Sequence, residues 1–229
     1  MKLFRLLCAF AAALLLPLAL ASPAQAQRDW TKTVVATGEG GFRMGNPAAR
    51  VRIVEFVSLT CPHCRAFSIN GAPSLIQRYV RSGQASFEIR SFVVNPFDAA
   101  AAVLNRCAAP QNYFALNDAF LAEQPQWLGR LAQLTDRQVD ELDRLSETEQ
   151  LVRIAAIAGL ERIAARHGVT PARARACLTD RNNLVRIAGV KQNGERLGVD
   201  GTPSFLVNGR LARGVHDWTQ LEPLLRLRR

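Results

Sequence analysis

Residues 51–57 form an almost unbroken run of β-forming apolar residues, and Cys61-Pro62-His63-Cys64 follows three residues later. A run of this kind reads as a strand buried on both faces. From the cysteines to about Arg81 the pattern turns helical, with a kink expected at Gly71-Ala72-Pro73. The pair therefore falls where a central strand gives way to a helix N-terminus. Unpaired N–H groups and the helix dipole stabilise a thiolate at such a place. Cys61 is the expected nucleophile, and Cys64, one turn on and facing inward, the expected resolving thiol. His63 adds a positive charge when protonated, which favours the Cys61 anion further. A stabilised thiolate is a good leaving group, and it makes the corresponding disulfide an oxidant.

One residue breaks the apolar run. By strand alternation Glu55 points to the same face as Val51, Ile53 and Val57. A carboxylate on an apolar face is expensive without a partner or a task. Its position six residues before Cys61 makes it a candidate proton relay for Cys64; a structural ion pair with a buried arginine is the alternative.

The rest of the chain organises around this unit. Residues 27–50 read as a loose lead-in with one edge strand near Thr33 to Ala36. Ser86 to Val94 reads as a second strand. From Asp98 to about Leu197 the pattern is helical throughout, with capping boxes at Thr135-x-x-Gln138 and Ser146-x-x-Glu149. The helix begun at Ser146 buries Leu151, Ile154, Ala155 and Ala158 and is expected to end at Gly168. Gly201-Thr202-Pro203 leads into a strand at Ser204 to Val207. Asn208-Gly209 is a hairpin turn, with a returning strand to Arg213 and a last helix to about Leu227. This pattern is an α/β fold interrupted by about a hundred residues of helix.

The first residues set the redox context. Lys2 and Arg5 precede an apolar run from Leu6 to Ala21, and small residues end in Ala24-Gln25-Ala26. This is the pattern of a secretory signal peptide cleaved after Ala26. Cys8 leaves with it, so four cysteines remain: Cys61, Cys64, Cys107 and Cys177. Disulfides persist outside the cytosol, and four cysteines allow three pairings. The net charge of +10 falls to +8 for a chain beginning at Gln27. The basic residues are scattered, with no run of more than two, so the footprint of a nucleic-acid binder is missing.

Strand, Cys61-Pro62-His63-Cys64 on a helix, helical insertion, then Thr202-Pro203 before a hairpin and final helix: this order resembles the DsbA family of the thioredoxin superfamily. The resemblance runs from about Ala49 to Leu227. It implies a thioredoxin fold made of residues 51–97 and 199–229, a large all-helical insertion over 98–198, and a cis-proline at Pro203 across from Cys61. It implies exchange at Cys61–Cys64 with reduced, cysteine-containing secreted proteins in the periplasm. Further implications are reoxidation by a quinone-linked membrane protein, a monomer, and no dissociable cofactor beyond the redox-active disulfide itself. Some members carry a second disulfide in the helical region, and Cys107 and Cys177 look similar to it; two free buried thiols are the alternative.

Two positions depart from the family's best-known oxidases. Thr202 stands where they usually have Val, and Thr there resembles the disulfide isomerases. Ser68 stands where they often carry a second acid. Leu59 and Phe67 are candidates for an exposed apolar patch around Cys61, with core packing as the alternative. A disulfide isomerase or reductase is the nearest rival function. A metal-binding or holding protein using Cys61 and Cys64 as ligands is a rival from another class; a four-cysteine zinc site is disfavoured, because Cys107 and Cys177 lack ligand spacing.

Overall fold

The computed structural model describes residues 28–226. The expected signal peptide and its cleavage site after Ala26 lie outside the described residues, as does Leu227. The strands are β1 (Val34–Ala36), β2 (Phe42–Gly45), β3 (Val51–Val57), β4 (Ala85–Ser91), β5 (Ser204–Val207) and β6 (Arg210–Leu211). They form one sheet in the order β1-β2-β4-β3-β5-β6. Only the β3–β4 pair is parallel; the other four pairs are antiparallel.

Burial explains the composition of the central strand. In β3 every residue except Arg52 is buried, because both faces of the sheet are covered. Glu55 pairs with Ile89 of β4 and Phe205 of β5. Phe205 meets Phe67 with ring centroids 4.7 Å apart, so this face carries α1 (Pro62–Asn70), where Phe67 lies. On the opposite face Val54, Phe56, Phe92, Val199 and Leu206 form a smaller core.

The helix after the cysteines breaks where the sequence places the kink. α1 stops at Asn70, α2 (Ala72–Leu75) follows Gly71, and a five-residue π-turn over Ile76–Val80 carries the chain into β4. The insertion between β4 and β5 comprises α3 (Pro96–Cys107), α4 (Pro110–Ala122), α5 (Gln124–Leu131), α6 (Asp136–Asp143), α7 (Glu147–Ala158), α8 (Leu160–Arg166), α9 (Pro171–Thr179) and α10 (Arg181–Arg196). α11 (Trp218–Arg226) closes the described chain. Both capping boxes are present. Asn208 and Gly209 have φ of 51° and 80°, so both central residues of the hairpin turn are left-handed, as a type I′ turn requires.

Three expectations about the path of the chain are corrected. Residues 27–50 supply two strands, and β2 pairs with β4 inside the sheet; its four residues are too few to show alternation. The helix begun at Ser146 does not run to Gly168. It ends at Gly159, whose φ of +70° closes α7 in a left-handed cap, and α8 starts afresh. The returning strand of the hairpin is only Arg210–Leu211.

α10 also does more than complete the helical insertion. It lies over the second face of the sheet, where a Cβ on Gly194 would come within 2.9 Å of the Phe56 ring. Within the insertion, Cys107 at the end of α3 is bonded to Cys177 in α9, with Cα atoms 6.3 Å apart and a sequence separation of 70. Closing so long a loop removes much of the entropy of the unfolded chain. Replacing both cysteines by Ala is expected to lower unfolding free energy by about 2–4 kcal/mol, measured by denaturant titration. An unchanged midpoint would show that the bond adds no stability.

Candidate active site

Cys61 is the N-cap of α1, with extended backbone at φ −81° and ψ 122°. Pro62 takes the first turn and has no N–H to offer. The next two amides, of His63 and Cys64, face the Cys61 sulfur and favour its anion, without either closing a cap hydrogen bond to it. From across the site, Cys61 Sγ lies 3.1 Å from the Thr202 carbonyl oxygen, to which its thiol donates, and the Thr202–Pro203 bond is cis.

These contacts set the acidity of the two thiols in opposite directions. The Cys64 thiol donates to Cys61, the Thr202 hydroxyl and the two helix amides add to it, and together they outweigh partial burial. The Cys61 thiol is thereby lowered to about 5. Cys64 is fully buried. Burial first, then its own donated hydrogen bond and the nearby Glu55 charge, push its thiol well above the ordinary range. Both thiols are unbridged here. His63 is exposed and enters this balance through its backbone amide.

Glu55 lies beneath the couple and is buried. Burial, reinforced by the charges of Asp118 and Cys61, drives its carboxyl well above the usual carboxylate range. Among the described residues no arginine pairs with it, so the ion-pair alternative has no partner in the structure. A protonated carboxyl beside a buried thiol can pass a proton to it or take one away.

Several residues of the site carry no signal in the local sequence. Asp118, on α4, accepts a hydrogen bond from Ser68 at 3.0 Å. The second acid missing at position 68 thus arrives from the helical insertion, with its carboxyl also raised by burial. Asp98, at the start of α3, is buried and raised to about 6, again chiefly by burial. Gln124, first residue of α5, donates to the carbonyls of Leu59 and Cys61. His216 has Nδ1 3.1 Å from the Pro203 carbonyl oxygen.

For Leu59 and Phe67 the structure selects core packing, one of the two alternatives. They are 2% and 3% exposed and belong to the core beneath α1, so neither offers a surface to a partner. With Cys107 and Cys177 bonded to each other, a four-cysteine metal site would lack two ligands. Among the described residues no cluster of three or more His, Cys, Asp or Glu is placed to hold a metal ion. Also among them, no helix is long and apolar enough to cross a membrane.

The Thr202 hydroxyl suggests a direct test. Thr202→Val keeps the shape and removes the donor, so the Cys61 thiol should titrate at higher pH. A loss of roughly 1 kcal/mol corresponds to a rise of just under one pH unit. Alkylation rate against pH measures it, and an unmoved midpoint would exclude the hydroxyl as a contributor.

A central parallel strand pair, a Cys-x-x-Cys couple capping the helix after it, and a cis-proline facing the couple define a thioredoxin-type dithiol site on an α/β fold. The chain belongs to the thioredoxin family, whose pattern it matches over residues 37–226. A protein-disulfide isomerase from Novosphingobium aromaticivorans has a similar structure, with a TM-score of 0.78 and 34% identity over 82% of this chain and 97% of that one. The α-DsbA1 of Wolbachia pipientis shares the fold, with a TM-score of 0.61 and 23% identity over 81% of this chain and 89% of that one. The sheet with many inserted helices is thus DsbA-like. A relative in Rickettsia bellii, provisionally named a protein-disulfide oxidoreductase, is 29% identical over 188 residues, 80% of this chain. The chain spans 64% of the length of that relative and 57% of a second from Rickettsia conorii.

Proposed function

We propose that this protein is an exported thiol:disulfide oxidoreductase that donates the Cys61–Cys64 disulfide to reduced, cysteine-containing proteins in the periplasm. One observation carries the reading: Cys61 is partly open to solvent and ionises near pH 5, while Cys64 is buried and held protonated. A substrate thiolate attacks Cys61 Sγ, forming a mixed disulfide as the Cys61–Cys64 bond breaks. The departing Cys64 sulfur takes a proton, with Glu55, the carboxyl whose charge acts on Cys64, to supply it. A second substrate thiolate attacks the substrate sulfur, and Cys61 leaves as a thiolate. Two electrons pass to the couple; of the two substrate protons, one ends on Cys64 and one in solvent.

The test is the equilibrium of the couple against glutathione buffers, followed by mass spectrometry, with oxidative refolding of a reduced model protein alongside. A strongly oxidising couple and productive refolding support donation; a couple as reducing as thioredoxin would overturn it. Isomerisation is the second reading, favoured by Thr202 and by the name of the Novosphingobium relative, and gain of activity on a scrambled substrate would identify it. A monomer in the periplasm, reoxidised by a quinone-linked membrane protein, completes the proposal. Glu55→Gln should slow formation of the mixed disulfide, the step in which Cys64 leaves Cys61, about tenfold or more without slowing alkylation of reduced Cys61; stopped-flow exchange reads both.

A further inference from the structure

The segment Ser58–Cys61, which sets the direction in which Cys61 enters α1, is held by the helical insertion. Leu59 donates its N–H to Asp98 Oδ1 at 2.8 Å, and the second oxygen of Asp98 takes the Val94 N–H at 3.1 Å. Gln124 Nε2 donates to the Leu59 carbonyl at 2.7 Å and to the Cys61 carbonyl at 3.0 Å. Asp98 and Gln124 are 1% and 4% exposed. Each of the two Gln124 protons has one acceptor, so this amide is saturated as a donor. Both backbone groups of Leu59 thus end on side chains from α3 and α5, not on the thioredoxin core.

We propose that Gln124 and Asp98 are positioning residues through which the helical insertion holds Cys61 as the N-cap of α1 and so tunes its reactivity. The inference rests on the reading of Cys61 as the nucleophile. Removing Gln124 leaves the buried Leu59 carbonyl without its donor and the Cys61 carbonyl with the Arg65 N–H alone, at a cost that loosens the loop. Cys61 then spends less time where the amides of His63 and Cys64 reach its sulfur. Glu55 and Asp98 are the acids facing Cys61, and Gln124 is neutral. A Gln124 substitution by an uncharged residue therefore acts through position and not through charge.

The experiment is alkylation of the reduced protein by iodoacetamide from about pH 4 to 9, with mass spectrometry to read Cys61. Gln124→Met matches the length and removes both donors; its rate near pH 4 should fall about fivefold, the equivalent of one hydrogen bond. Gln124→Glu, protonated at that pH, keeps one donor and should fall in between. Near-UV circular dichroism checks that each variant is folded. If Gln124→Met fails to fold, the Glu variant decides alone, a wild-type profile counting against the proposal. Folded variants with lower thermal stability but an unmoved Cys61 profile would reduce Gln124 to a packing residue and overturn it. Alkylation needs no protein substrate, so a wild-type chain inactive in refolding would defeat the proposed function and leave this result standing.

Discussion

Cys61→Ser should abolish disulfide exchange, whereas Cys64→Ser should leave a protein that still attacks disulfides but stays bound to them. The difference follows from where the two sulfurs sit. Cys61 lies at the mouth of the site with its thiol lowered to about 5, so at neutral pH it is almost wholly the reactive thiolate. No other sulfur among the described residues substitutes for it: Cys64 is buried and raised, and Cys107 and Cys177 are bonded to each other. Serine at position 61 is no nucleophile at neutral pH. Loss of Cys64 removes only the thiol that resolves the mixed disulfide from within, so the covalent complex accumulates. Both outcomes are read by mass spectrometry after mixing the reduced variants with a disulfide-containing peptide. Residual exchange in Cys61→Ser would place the chemistry at another sulfur.

The reduced protein should also be more stable than the oxidised one at pH 7, by roughly 2 kcal/mol. The folded Cys61 thiol titrates at about 5, against about 8.5 for a thiol in an unfolded chain. A group whose folded pKa is depressed adds stability that is complete above the unfolded value and disappears as pH falls through the folded one. The window is therefore about pH 8.5 down to 5. Two pH units at pH 7 correspond to about 2.7 kcal/mol, and the solvent on the open side of Cys61 reduces this to roughly 2. The oxidised protein has no thiolate and gains none of it. Glu55, its carboxyl raised chiefly by burial, acts in the opposite direction in both redox states; the smaller part of that shift due to the Cys61 charge belongs to the reduced protein alone.

By linkage the same free energy makes the couple about 40 mV more oxidising than one with an ordinary thiol. Thermal melts of the two forms at pH 7 should differ by several degrees, and the gap should close toward pH 5. Equal melting temperatures at pH 7 would contradict the stabilised thiolate.

Much of this site was legible in the chain itself. Strand, turn and helix signals around residues 51–81 are local, so they placed Cys61 at a helix N-terminus and Cys64 one turn inside it. Strand alternation gave the face of Glu55. Capping boxes and the Asn208-Gly209 turn are also short-range devices, and they appear where their residues stand. β2 escaped because four residues paired to a distant strand carry no period. Gly159 escaped because a left-handed cap and a glycine inside a helix look alike in sequence.

What only tertiary structure decided is the environment of the two sulfurs. Asp118, Asp98 and Gln124 reach the couple from helices 34 to 63 residues away in the chain from Cys61 or Cys64, and polar residues on a helix do not announce which core they will face. Burial of Phe67 likewise depends on what it packs against, which is the sheet at Phe205, and Leu59 is buried in the same core. The sequence by itself determined which atoms can react, because nucleophile, resolving thiol and helix cap are neighbours in the chain. How strongly they react was left to packing, because acidity depends on desolvation and on donors that only the folded chain brings together.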